Sequence, residues 1–347
     1  MVLKRPKIIV TGGAGYIGSH TVVELWAAGY DPVVVDNFER SHPEIMNRIN
    51  RISGNSTVVH QVDCRDRKAL ANVFRSAGDI QAVIHFAAYK AVGESVLHPS
   101  IYYDNNIGGL AVLLEVMAQH GNPGMVFSSS CTVYGQPKEL PVTESSPVVP
   151  ALSPYGYTKQ VCEQLLKDCA MAKTRLKSVS LRYFNPIGAH PSASLGELPI
   201  GTPNNLVPYL TQAMAGLRPP LTVFGQDYPT DDGTCVRDYI HVVDLAKAHV
   251  AALQHLEGME NPSMEIFNIG SGKGHSVLEL INAMEKVTEI PVPFEMGPRR
   301  PGDVAAIWAS SNKHLPTWSP KLSLEDALLD AWNWQKSLSQ HPLDGHA

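Results

Sequence analysis

Apolar residues in this chain gather into short β-branched runs separated by longer segments of helical period. Residues 7–11 (KIIVT), 32–36 (PVVVD), 56–63 (STVVHQVD), 82–88 (AVIHFAA), 125–130 (MVFSSS) and 177–185 (KSVSLRYFN) are nearly continuous in apolar character, as strands covered on both faces are. Between them, 66–77, 100–120 and 155–173 read as helices. This alternation predicts an α/β fold, a Rossmann-like doubly wound parallel sheet, over residues 1–185. After residue 186 the texture changes: 186–204 and 217–235 are rich in Pro, Gly, Asp and Thr, 241–255 and 275–288 read as helices, and 223–225 and 239–242 as short strands. A smaller α/β domain over 186–347, partly interleaved with the first, is therefore expected.

Composition narrows the class. The 347 residues are 44% hydrophobic and 18% charged, with a net charge of −5, so no basic field invites nucleic acid or an acidic membrane. No apolar run approaches the ~20 residues needed to cross a bilayer. Ile8-Ile9-Val10 is too short for the core of a signal peptide. The five cysteines show no metal or redox spacing, so reduced thiols, no metal and a cytoplasmic setting are expected.

The first chemistry-bearing motif follows the first run. In TGGAGYIG (11–18), Gly12, Gly15 and Gly18 permit a tight turn and a close approach to a pyrophosphate, while the amides around Tyr16 and Ile17 open a helix. Asp36 ends the next strand 18 residues after Gly18, where a carboxylate accepts both hydroxyls of an adenosine ribose. It would repel a 2′-phosphate, which favours NAD over NADP, although Arg40 nearby pulls the other way. Asp63 and Cys64 are within reach of adenine, and Phe86, Ala87 and Ala88 would press against the cofactor, since ligands of such sheets sit outside the carboxyl ends of the strands.

The second motif is SPYGYTK (153–159). With Ser153 as N-cap and Pro154 in the first turn, Tyr155 and Lys159 share a helix face, whereas Tyr157 points away. The helix N-terminus and the Lys159 ammonium are expected to lower the Tyr155 phenol toward neutral pH. Ser130, read as closing its strand, would bind the same substrate oxygen. This triad suits removal of an alcohol proton while hydride leaves the carbon for a nicotinamide. His85 and His241 sit in apolar strands and are read as structural.

Around these motifs the chain resembles the UDP-sugar 4-epimerase branch of the extended short-chain dehydrogenase/reductase family. The resemblance runs through VVDN (34–37), AVGESV (91–96), YYDNN (102–106), FSSSCTVYG (127–135), LRYFNPIGAHPS (181–192), PNNLVPY (203–209), VFGQDYPTDDGTCVRDYIHV (223–242), FNIGSG (267–272) and RRPGDVAAIWA (299–309). It implies a tightly held NAD that is not consumed, and reversible exchange of UDP-galactose and UDP-glucose through a transient 4-keto sugar, an isomerase of carbohydrate metabolism. By the same resemblance Asn37, Lys90, Asn106 and Ser128 border the cofactor, with Tyr183 and Phe184 beside the nicotinamide. Asn185 would contact the nucleotide-sugar, and Asn205, Leu206, Phe224, Arg237, Tyr239, Arg300 and Asp303 would hold its uridine diphosphate. Ile307 would face the sugar's 2-position, where a residue of intermediate size leaves room for UDP-N-acetyl sugars. A homodimer through the 100–120 and 155–173 helices is implied too. A 4,6-dehydratase is disfavoured because Val133 and Tyr134 follow Thr132, and a non-catalytic NAD sensor because it would not need the intact triad.

Overall fold

The computed structural model describes residues 5–300, 303–310 and 315–340; Pro301 and Gly302 of the RRPGDVAAIWA segment lie outside them. Six strands follow one another in the amino-terminal half: β1 (Lys7–Thr11), β2 (Asp31–Asp36), β3 (Val58–Gln61), β4 (Ile80–His85), β5 (Gly124–Ser128) and β6 (Ser178–Tyr183). They form a parallel sheet in the order β6-β5-β4-β1-β2-β3, and strand Met264–Ile269 adds a seventh member beside β6. Alternate side chains serve opposite layers, as a pleated strand requires. Ile8 and Val10 pack under helices Tyr16–Ala27, Glu44–Ser53 and Val242–Gly258, while Ile9 packs under Arg67–Ala77, Gly109–Gln119 and Pro154–Met171.

The carboxyl-terminal half thus lends a helix and a strand to the first sheet. Its own elements build a separate core. Strand Val236–His241 pairs with Asn185–Ile187, Gly274–Ser276 and Ala306–Ile307, and Leu221–Phe224 pairs with Phe294–Gly297. Helices Leu206–Met214, Val277–Thr288 and Leu324–Gln340 close over Ile187, Val207, Leu221 and Leu280.

Three sequence expectations change. β3 is not covered on both faces: it is the sheet's edge, with Val58 52% and Val59 38% exposed, because among the described residues no strand pairs with its outer side. The 100–120 helix is interrupted by a π-helical stretch at Tyr103–Gly108 between Pro99–Tyr102 and Gly109–Gln119. β5 ends at Ser128, so Ser130 does not close the strand. It caps a short 3₁₀ turn, Cys131–Tyr134, accepting from the Thr132 amide at 3.2 Å.

Candidate functional site

The crevice opens where the sheet order reverses, between β1 and β4, the place where doubly wound sheets bind ligands. Gly12 has φ +69°, a conformation that glycine adopts freely, and a Cβ there would lie 2.7 Å from the Ala87 amide nitrogen. One at Gly18 would lie 2.2 Å from the Gly12 carbonyl oxygen. Only glycine lets the turn lie this close to the β4 loop. The helix Tyr16–Ala27 starts at Gly15 with no side-chain cap, so its first amides have no side-chain acceptor and face an anion's natural position. Asp36 is already oriented: it accepts from the Ala14 amide (3.0 Å), the Phe38 amide (2.9 Å) and the Ser41 hydroxyl (2.8 Å). The cradle fits a dinucleotide's diphosphate and ribose.

Beyond Asp36, Asn37 donates to Asp63 at 3.1 Å, and hydrogen bonds from Arg65 hold the Asp63 carboxyl down at about 2. Burial pushes the Cys64 thiol up to about 12, so it is an inert wall. Asn106 stands behind the cavity rather than in it, tying the Tyr89 backbone (2.8 and 3.0 Å) to the Thr158 hydroxyl (3.0 Å).

The second motif forms as its spacing requires. Ser153 caps the helix Pro154–Met171 through the Gly156 amide at 3.1 Å. Tyr155 and Lys159 are buried on one face, whereas Tyr157 is 47% exposed with its ring 6.1 Å from that of Tyr103. Lys159 donates to the Ser128 carbonyl at 2.7 Å, and its ammonium lies 6.0 Å from the Tyr155 ring centre. Ser128 in turn donates to the Tyr183 phenol at 2.9 Å. Ser128 therefore positions two site residues without lining the cavity itself.

The expected lowering of the Tyr155 phenol is not seen. The Tyr155 phenol is raised well above its ordinary value by desolvation, next by Tyr183, with only Ser130 opposing. Desolvation also brings Lys159 down to about 8. Burial thus disfavours the charged form of both groups.

A buried ion pair anchors this corner. Glu163, one turn beyond Lys159, accepts from Arg182 Nε (2.9 Å) and Nη2 (2.6 Å), from Ser129 (2.7 Å) and from Ser180 (3.2 Å). Helix, β5 end and β6 are thereby tied together directly beside Ser130.

The facing wall comes from the carboxyl-terminal half. Asp303 holds Arg300 through Nε (3.1 Å) and Nη2 (2.9 Å) and faces Arg237 at 3.7 Å. Glu197, which no spacing in the sequence singled out, accepts from Lys90 (2.9 Å) and Asn205 (2.6 Å). Its partners lie 107 and 8 residues away in the chain, so only the fold brings them together. Asn185 and Ile307 line the cavity, as does Phe184. Leu206 and Tyr239 pack into the carboxyl-terminal core, and Phe224 lies outside the wall, half exposed, with the Arg300 guanidinium 5.7 Å from its ring centre. The glycine turn, Asp36, the Ser130–Tyr155–Lys159 corner and both arginines share one cavity of about 610 Å³. Among the described residues no group of three or more His, Cys, Asp or Glu could hold a metal.

The chain resembles known proteins over almost its whole length. Residues 8–270 match the model of the NAD dependent epimerase/dehydratase family. The chain is 52% identical over 332 residues to UDP-glucose 4-epimerase 2 of Arabidopsis thaliana, covering 94% of each, and 49% identical to UDP-glucose 4-epimerase of Bacillus subtilis, covering 95% of this chain and 97% of the relative. The solved UDP-glucose 4-epimerase of Bifidobacterium longum, in complex with NAD⁺ and UDP, superposes with a TM-score of 0.92 at 46% identity, covering 95% and 98%.

Proposed function

The chain belongs to the NAD dependent epimerase/dehydratase family, and from that premise we propose that it interconverts UDP-galactose and UDP-glucose at C4, through a transient 4-keto sugar and without net redox change. One observation carries the reading: a buried serine, tyrosine and lysine open into the same cavity as a dinucleotide cradle and a two-arginine wall. Bound in its oxidised form, NAD supplies a hydride acceptor and a positively charged ring. Gly12, Gly15 and Gly18, with the amides of Tyr16 and Ile17, hold its diphosphate, and Asp36 its ribose.

Tyr155 takes the proton from the sugar's 4-hydroxyl and later returns it. A cation near a buried phenol favours the phenolate, which opposes the effect of burial on Tyr155. Ser130 donates to the substrate oxygen, and the Lys159 ammonium, fixed on the Ser128 carbonyl, stabilises the phenolate. Arg237 and Arg300 suit the oxygens of a diphosphate, each able to present a fork of donors. Asp303 keeps these forks oriented meanwhile. Lys90, Asn106 and Ser128 serve the cofactor side directly or through Tyr89 and Tyr183; Asn185 and Asn205 serve the nucleotide-sugar side, with Leu206 and Tyr239 packed behind it and Phe224 at its edge beside Arg300.

Ile307 favours a second substrate class. It lies buried on the cavity wall, smaller than an aromatic side chain, so an N-acetyl group at the sugar's 2-position can be accommodated. The division into 1–185 for NAD and 186–347 for the UDP-sugar, with the helix Val242–Gly258 and strand Met264–Ile269 returned to the first sheet, fits the two walls of the cavity. Exposed Ile101, Tyr103 and Tyr157 on neighbouring helices support a homodimer, and a cytoplasmic setting agrees with the reduced cysteines. No helix among the described residues is long and apolar enough to cross a membrane.

Purified protein given UDP-galactose and no added NAD should form UDP-glucose without accumulating NADH. Net NADH, or no product, would sink the reading.

A further inference from the structure

β4 and β2 are the two neighbours of β1 in the sheet. The loops that follow them therefore form the banks of the crevice whose floor is the glycine turn. Arg40 on the β2 bank reaches Glu94 on the β4 bank, Nη2 to Oε1 at 2.7 Å. Its guanidinium also lies 4.8 Å from the centre of the Tyr89 ring on that far bank. A second crossing runs the other way, where the Tyr89 hydroxyl donates to Glu39 at 2.7 Å. Glu94 is held from behind by the Tyr102 hydroxyl, also at 2.7 Å. Arg40, Tyr89 and Glu94 line the same cavity as Asp36 and the glycine turn. The strands beneath are already fixed by their ladders, so these crossings join the segments that follow the strands rather than hold the sheet.

We propose that Arg40, Glu94 and Tyr89 form a clasp across the dinucleotide end of the cavity that slows the departure of NAD, so that one cofactor stays on the protein through many turnovers. This rests on the reading of NAD as resident cofactor. The clasp also employs a charge that would otherwise welcome a 2′-phosphate: Arg40 is engaged by a carboxylate and a ring, which strengthens the preference set by Asp36. Half of the Arg40 side chain remains exposed, 52% against 28% for Glu94, so salt should loosen the clasp.

The test uses holoprotein freed of unbound cofactor by gel filtration, with the NAD remaining on wild type, Arg40→Ala and Glu94→Gln quantified over time. Glu94→Gln keeps an acceptor for Tyr102 and guards against a simple loop collapse in the first variant. At low salt both variants should lose NAD about tenfold faster than wild type, because such contacts act mainly on the off-rate. High salt should speed loss from wild type far more than from the variants. On dilution the variants' activity should fall and return with added NAD. Equal loss rates in all three proteins, or one shared salt response, overturns the clasp but spares the epimerase reading if wild type still carries NAD and interconverts the sugars. Wild type that carries no NAD overturns both.

Discussion

The two walls of the cavity are built on opposite principles. The proposed catalytic corner is buried and tied down: Tyr155, Lys159, Ser130, Glu163 and Arg182 are all buried, and each has its contact within the corner. The wall proposed for the nucleotide-sugar is more exposed, and its charges pair with one another. Arg300 and Arg237 share Asp303, and Glu197 accepts from the Asn205 amide and reaches across to Lys90 on the cofactor side. The first wall holds a fixed geometry around the reacting atoms, at the cost of a phenol whose charged form burial disfavours. The second keeps its cations oriented while leaving them free to exchange partners. Damage to the corner should therefore appear in turnover and stability, and damage to the wall in substrate affinity.

The largest effect should come from Tyr155→Phe, which removes the proton carrier and should lower kcat by about 10²–10⁴-fold. Tyr157→Phe should stay within about twofold, since its side chain lies outside the corner. Equal losses in the two variants would end the helix-face argument. Next comes Glu163→Gln, which leaves the Arg182 charge buried without its counterion. A loss of about 3–5 kcal/mol of stability is expected in denaturant titrations, with turnover falling as well. On the opposite wall, Arg300→Ala should raise KM for UDP-galactose by about ten- to a hundredfold, the worth of charge-assisted hydrogen bonds, with a much smaller change in kcat. If kcat fell most, the contrast between the walls would fail.

Two smaller effects sharpen the comparison. Lys159, brought down to about 8 by burial, carries its charge below that pH and loses it as pH rises. The kcat profile should accordingly fall on the alkaline side of about 8, where the phenolate loses its ammonium partner. Glu163 raises Lys159 by its charge, so Glu163→Gln should move that limb to lower pH. Finally, Ile307→Tyr should lower turnover of UDP-N-acetyl sugars relative to plain UDP-sugars. An unchanged ratio would remove Ile307 from substrate choice.

Features that rest on local spacing were readable before the fold. The glycine turn, Asp36 at the end of β2, and the shared face of Tyr155 and Lys159 each follow from a strand, a turn or a helical period within a few residues. What spacing could not convey depends on distant partners. β3 reads as a core strand because its residues are β-branched, yet its exposure depends on whether another strand arrives. Glu163 carries no local signal in the sequence, and only the register of β5 and β6 shows that Ser129, Ser180 and Arg182 converge on it. Glu197 was invisible for the same reason. The expected drop in the Tyr155 pKa weighed the neighbouring cation, but the depth of burial, which raises it, is a property of the packed molecule.

The central claim is that hydride leaves C4 and returns to the same carbon while Tyr155 handles only the oxygen-bound proton. Conversion of UDP-galactose in heavy water, followed by proton NMR, tests it directly. The account predicts UDP-glucose that keeps its original hydrogen on C4. Deuterium appearing on C4 would mean that the hydrogen had passed through solvent as a proton, and would contradict it.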